Sequence, residues 1–186
     1  MITISREIGI DAGHRVPDHL SKCRSPHGHR YKIILTVSGD LKSQGAERGM
    51  IKDFSFLKQV MMDEIDQYFD HAMIISIYDE MMMAAYGYKE EYVESLRDII
   101  LTTPSHQYFI RPENQRDSVF FNQGGLVGKH VLVPFSPTAE NLAAHWGHNC
   151  QLAIACIDPD VQVDCMEVWE TPNCCASWVP EEGEIE

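Results

Sequence analysis

The chain contains no apolar run long enough to span a bilayer, and its N-terminus, MITISREIGI, lacks the basic and apolar regions of a secretory leader. Cations are also scarce: 15 Lys and Arg stand against 28 Asp and Glu, a formal net charge of −13. That balance excludes non-specific binding along a nucleic-acid backbone, which needs clustered Lys and Arg. An anionic substrate would have to be attracted locally. Six cysteines without an export signal read as thiols rather than as a disulfide framework, and a cytoplasmic location is expected. With 44% apolar and 23% charged residues the chain is not of disordered composition. Its 186 residues suffice for one domain, 1–186, with a real core and are few for two.

What is present begins with alternation. In ITISREIGIDAGHR, Ile2, Ile4, Ile8, Ile10 and Ala12 share the even face of a strand, and His14 falls on that face. A second strand starts near Gly28, with His27, His29, Tyr31, Ile33, Leu35 and Val37 on its odd face. A helix is predicted over about Ser55 to Phe69, with Leu57, Met61, Ile65 and Tyr68 at helical spacing and Asp53 or Ser55 available as cap. The stretch from His71 to Pro137 is least legible. DEMMMAAYGYKEEYVESLRDIIL has helical composition interrupted by Gly87, and FIRPENQRDSVFFNQGGLVGK reads as irregular segments around short strands. Pro137 and Thr138 start a second helix, after which VQVDCMEVWET and CCASWV read as a strand pair. The tail EEGEIE is expected to be a solvated acidic end. The expected fold is α+β: an antiparallel four-stranded sheet in ββααββ order with two helices on one face, and an insertion of about 76–132 between the helices.

The chemistry sits in CRSPHGHRYKIIL. If the first two strands are neighbours, His14 meets His27 and His29 on one apolar face. Three imidazoles there suit Zn²⁺, with a fourth position left for water or substrate. Burying three unpaired imidazoles together without an ion would be costly. Cys23 is either a fourth ligand, which would close the site, or a thiol beside a cationic centre, which could act as base or nucleophile. Asp70–His71, after the first helix, is a candidate proton shuttle. Glu170 ends an otherwise apolar strand, where a carboxylate could hold a guanidine-like ligand edge or simply sit at the rim. His145 and His148 are a rival pair without an evident third ligand and read as surface polar residues. Met81 to Met83 read as flexible core or interface rather than a cofactor site, and the adjacent Cys174 and Cys175 point to opposite faces of a strand.

Six segments in this order resemble the pterin synthases of the tunnelling fold. AGHR with His14 resembles the family's first zinc-ligand segment, and CRSPHGH its catalytic cysteine and two further ligands. GMIKDFSFLK is similar to the entry into the first helix, FDHAMI to the Asp-His element, PTAENLA to the start of the second helix, and VWET to the strand end whose glutamate anchors the pterin. The resemblance leaves the insertion uncovered. It implies a zinc enzyme acting on 7,8-dihydroneopterin triphosphate, with His14, His27 and His29 as ligands. Cys23 would be the thiolate base and His71, oriented by Asp70, the proton shuttle. Glu170, with Thr138 nearby, would grip the aminopyrimidine edge. The three residues between Cys23 and His27, with IKDF, resemble the branch that forms 6-carboxy-tetrahydropterin, acetaldehyde and triphosphate towards queuosine and other 7-deazapurines. The alternatives are the 6-pyruvoyl branch and a zinc- and pterin-binding assembly protein without turnover. Trimers stacked into hexamers, with sites at subunit interfaces, are also implied. Neither a membrane nor a nucleic acid is an expected partner.

Overall fold

The computed structural model describes residues 2–102 and 128–181. The stretch FIRPENQRDSVFFNQGGLV and the last five residues of the acidic tail lie outside them. The chain forms two compact units: Met1–Ile10, Arg30–Asp70 and Ala139–Glu186 make one, Asp11–His29 and His71–Thr138 the other. Strands β1 (Ile2–His14) and β2 (His27–Gly39) contribute to both.

Alternation survives in both strands. Ile10, Ala12 and His14 are buried in β1, and Tyr31, Ile33, Leu35 and Val37 in β2. In the first unit β2 pairs antiparallel with β5 (Gln162–Thr171), placing Ile33 opposite Val168 and Leu35 opposite Met166. β5 pairs antiparallel with β6 (Cys174–Trp178). Helix α1 (Phe54–Met61) is capped by Asp53, whose Oδ1 accepts from the Ser55 amide at 2.7 Å. Its sequel is a π turn, Met62–Asp66, and the short α2, Gln67–Phe69. The wider turn moves the apolar face on by one residue: Phe69, not Tyr68, is fully buried beside Leu57, Met61 and Ile65. The Phe69 and Tyr31 rings meet Trp146 edge-on, with centroids 5.1 and 6.2 Å away.

Trp146 belongs to α5 (Ala139–Ile157), which packs on β5 and β6. Its neighbour Gly147 lies under the Trp178 ring: a Cβ there would stand 2.1 Å from a ring carbon. A mid-helix glycine costs about 0.5–1 kcal/mol against alanine, and here the close approach of an aromatic ring requires it.

The second unit corrects the expected sheet. Two strands were missed: β3 (Ala72–Ser76) and β4 (His130–Val133). They pair in parallel with each other, and β3 pairs in parallel with the end of β1, with Ala12 opposite Ala72. Among the described residues the sheet is therefore six-stranded and mixed, in the order β4-β3-β1-β2-β5-β6, rather than four-stranded and antiparallel. AMIIS and HVLV are short and buried on nearly every residue, so they carry no alternation to separate strand from helix. Between them come α3 (Glu80–Ala85) and α4 (Glu90–Thr102), divided at Gly87, whose φ of 78° suits glycine. Met82 and Met83 join Ile75, Ile77, Tyr86, Val93, Leu96 and Leu132 in a local apolar core, whereas Met81 is exposed. The methionine run is thus mainly core.

Gly147→Ala is expected to lower stability by about 1–3 kcal/mol, the usual cost of overpacking, with a lower urea midpoint and altered tryptophan fluorescence. An unchanged or raised midpoint, the ordinary result of Gly→Ala in a helix, would show that the ring gives way freely.

Candidate metal centre

His14 ends β1 and is 2% exposed; His27 and His29 open the adjacent β2 and are half-buried. The three rings stand with centroids 4.6, 4.9 and 5.2 Å apart. One ligand nitrogen from each lies within 4.8 Å of the others. Nδ1 of His14 bonds to the Pro137 carbonyl at 2.6 Å, and Nδ1 of His27 to the Ser25 carbonyl at 2.8 Å. A carbonyl only accepts, so each Nδ1 carries the proton and each Nε2 keeps its lone pair. A backbone carbonyl fixing the far nitrogen is how metal-ligating imidazoles are commonly oriented. The donor set therefore fits a divalent metal that favours nitrogen. Among the described residues no other group of three or more His, Cys, Asp or Glu is placed to hold one.

Cys23 lies on a single 3₁₀ turn, Lys22–Arg24, half-buried, and its carbonyl accepts from the Val16 amide at 2.9 Å. That bond closes the loop joining the two ligand strands. All six cysteines are free thiols. Asp70 ends α2, and His71 follows in the left-handed region, φ 57°. Such backbone is uncommon for a residue with a Cβ and concentrates at functional sites. The His71 amide donates to the Asp11 carbonyl at 2.7 Å, tying the residue to β1. Thr138 directly precedes α5, its amide donating to the Ser136 carbonyl at 2.8 Å.

Glu170, near the end of β5, accepts from the Tyr31 hydroxyl at 3.4 Å. Burial raises the Tyr31 pKa, and the charge and hydrogen bond of Glu170 add to the effect. Tyr31 thus stays a protonated donor that orients a carboxylate. Alternation places Tyr31 on the same face of β2 as His27 and His29 but gives no sign of what its hydroxyl bonds.

The full length of this pattern matches one family model: residues 3–181 fit that of 6-pyruvoyl tetrahydropterin synthase. The chain belongs to this family. Among its relatives, a 6-carboxy-5,6,7,8-tetrahydropterin synthase of Haemophilus influenzae is 41% identical over 93% of this chain and 95% of its own. One of the same name from Rickettsia conorii is 26% identical over 94% and 97%. The fold is shared with a solved protein of Wolinella succinogenes, at a TM-score of 0.67 and 22% identity over 97% of this chain and 98% of that one. It is shared also with the 6-pyruvoyl tetrahydropterin synthase of Caenorhabditis elegans, at 0.56 and 17% over 97% and 96%. Among the described residues no helix is long and apolar enough to cross a membrane.

Within this pterin synthase fold the rival pair on α5 has a different character from the surface one expected. His145 packs edge-on against Phe69, centroids 6.2 Å apart, and its Nε2 accepts from Asn149 at 3.4 Å. Burial pushes its pKa down to about 4, with the neighbouring His148 adding to the shift. His145 is half-buried, whereas His130 on β4 is buried: its Nδ1 donates to the Gly128 carbonyl at 3.0 Å and its Nε2 accepts from Tyr88 at 2.6 Å. Its pKa is lowered, burial being the main cause.

Both groups make the fold sensitive to acid. An unfolded imidazole takes its proton near pH 6.5, so the unfolded state binds protons first as pH falls. The stability contributed by neutral His145 is present above 6.5 and is lost progressively as pH falls towards its folded pKa of about 4. Between pH 7 and pH 5 this loss amounts to about 2 kcal/mol. Urea unfolding at the two pH values should show a smaller drop for His145→Gln than for the wild type; equal drops would contradict a buried neutral ring.

Proposed function

We propose that this chain is a zinc-dependent carbon–carbon lyase converting 7,8-dihydroneopterin triphosphate to 6-carboxy-5,6,7,8-tetrahydropterin, acetaldehyde and triphosphate, in the biosynthesis of queuosine and other 7-deazapurines. The observation that carries this reading is the 41% identity, over nearly the whole of both chains, to a relative of that name. Membership of the pterin synthase family and the three-histidine cluster support it.

His14, His27 and His29 would hold the zinc. When bound, it supplies a Lewis acid that acidifies the side-chain hydroxyls of the substrate. Cys23, half-buried on the turn between β1 and β2, is the base that takes a proton while hydrogen is redistributed onto the pterin ring. His71, with its backbone fixed by the Asp11 carbonyl and Asp70 preceding it, shuttles the second proton needed for carbon–carbon cleavage. Glu170 accepts from the aminopyrimidine edge while Tyr31 holds one of its oxygens. Thr138, beside the carbonyl that orients His14, borders the same function. We also assign the chain to the cytoplasm and to a homo-oligomeric trimer or hexamer that covers the sheet edges.

The test is mass-spectrometric product analysis of zinc-loaded protein with 7,8-dihydroneopterin triphosphate. A 6-carboxy product with acetaldehyde is expected, and Cys23→Ala should lower turnover at least about 10²-fold at unchanged zinc content. A 6-pyruvoyl product would move the chain to the other branch of the family. Zinc and pterin binding without any product, unaffected by Cys23→Ala, would make it a binding protein.

A further inference from the structure

Among its described residues the inserted segment contributes one buried charge. Asp79, which caps α3, is 3% exposed, and a carboxylate so deeply placed is rare unless paired. Its two oxygens are divided. Oδ1 accepts from the Met82 amide at 3.1 Å, which is the cap; Oδ2 lies 3.0 Å from Nε of Arg15, itself only 12% exposed. Capping alone requires no charge, since asparagine and serine do it equally well. The carboxylate is explained by Arg15.

Arg15 is the residue after His14, and its Nη1 also reaches the Met81 sulfur at 3.1 Å. Asp79 stands on firm ground: its amide donates to the Ser76 carbonyl at 2.9 Å, and its carbonyl accepts from Met83 at 2.9 Å. Met82 and Met83 lie in the apolar core with Ile75 and Ile77. A packed core thus holds Asp79, Asp79 holds Arg15, and Arg15 fixes the chain where β1 ends. His14 is then held twice, by its backbone and by the Pro137 carbonyl on Nδ1.

We propose that Asp79 is a positioning residue for the metal centre: through its ion pair with Arg15 it sets the place of the His14 ring. The insertion is on this view a brace for the ligand strand. The proposal rests on the metal-binding reading of the three histidines.

The test uses full-length protein, zinc affinity by competition with a chromogenic chelator, and the visible absorption of the cobalt(II)-substituted form. Asp79→Asn keeps the helix cap and removes the charge. It should weaken zinc binding about 10- to 100-fold, the usual effect of losing a residue that orients a ligand, and change the cobalt spectrum. Asp79→Glu should recover most of the affinity. Leu57→Ala, which destabilises the first unit and not the core that holds Asp79, should leave the cobalt spectrum as in the wild type. Wild-type affinity and spectrum in Asp79→Asn would overturn the proposal, as would equal losses in Leu57→Ala, which would reduce Asp79 to a structural role. Wild-type protein that binds neither ion would remove the metal reading itself and the brace with it.

Discussion

Everything at the site depends on β1 lying beside β2 with their apolar faces matched. His14 occupies the even face of one strand, and His27 and His29 the odd face of the other, so a slip of one residue in either would turn its imidazoles to the opposite side. The apolar residues that follow the same parities guard against such a slip. Ile10 and Ala12 on β1 and Tyr31, Ile33 and Leu35 on β2 are buried, and a shifted register would expose them. The packing energy of the sheet is thereby the energy that assembles the histidine cluster. The Pro137 and Ser25 carbonyls complete the arrangement by fixing which nitrogen of His14 and of His27 carries the proton.

Each unit packs its own part of the two strands. In the first, Tyr31 is packed edge-on against Trp146, and its hydroxyl is thereby presented to Glu170 from within the core. A tyrosine held protonated by burial, next to a carboxylate, fixes the direction of that carboxylate. In the second unit the parallel strands β3 and β4 carry their own apolar cluster, and β3 extends the sheet beside β1 directly after His71. The left-handed backbone of His71 lies at that junction, where a helix ends and a strand begins, held by the Asp11 carbonyl.

Much of this was legible because the informative residues repeat with a physical period. Both ligand strands were found from alternation, and the histidines from sharing the parity of the apolar residues. Of the two candidate caps, Asp53 and Ser55, the structure uses Asp53, and Gly87 breaks the helical stretch as its backbone freedom allows. The misses have equally specific causes. AMIIS and HVLV are buried on nearly all positions and too short for periodicity to assign, so two strands and the parallel part of the sheet went unseen. The π turn at Met62–Asp66 displaced the buried position from Tyr68 to Phe69, a change of one residue that no helical wheel anticipates. His145 is half-buried rather than solvated, and one of the rings against it, Phe69, is remote in sequence. The Arg15–Asp79 pair joins positions far apart in sequence, which local pattern cannot connect.

An open tris-histidine centre differs from a closed structural one in a single ligand, and Cys23 is the residue that would close it. X-ray absorption spectroscopy at the zinc edge of the metal-loaded protein distinguishes the two directly. Three protein nitrogens at about 2.0–2.1 Å and no sulfur shell are the expected result, leaving a position for substrate and Cys23 as a thiol. A sulfur shell at about 2.3 Å would place Cys23 on the metal and contradict the assignment of this centre to catalysis.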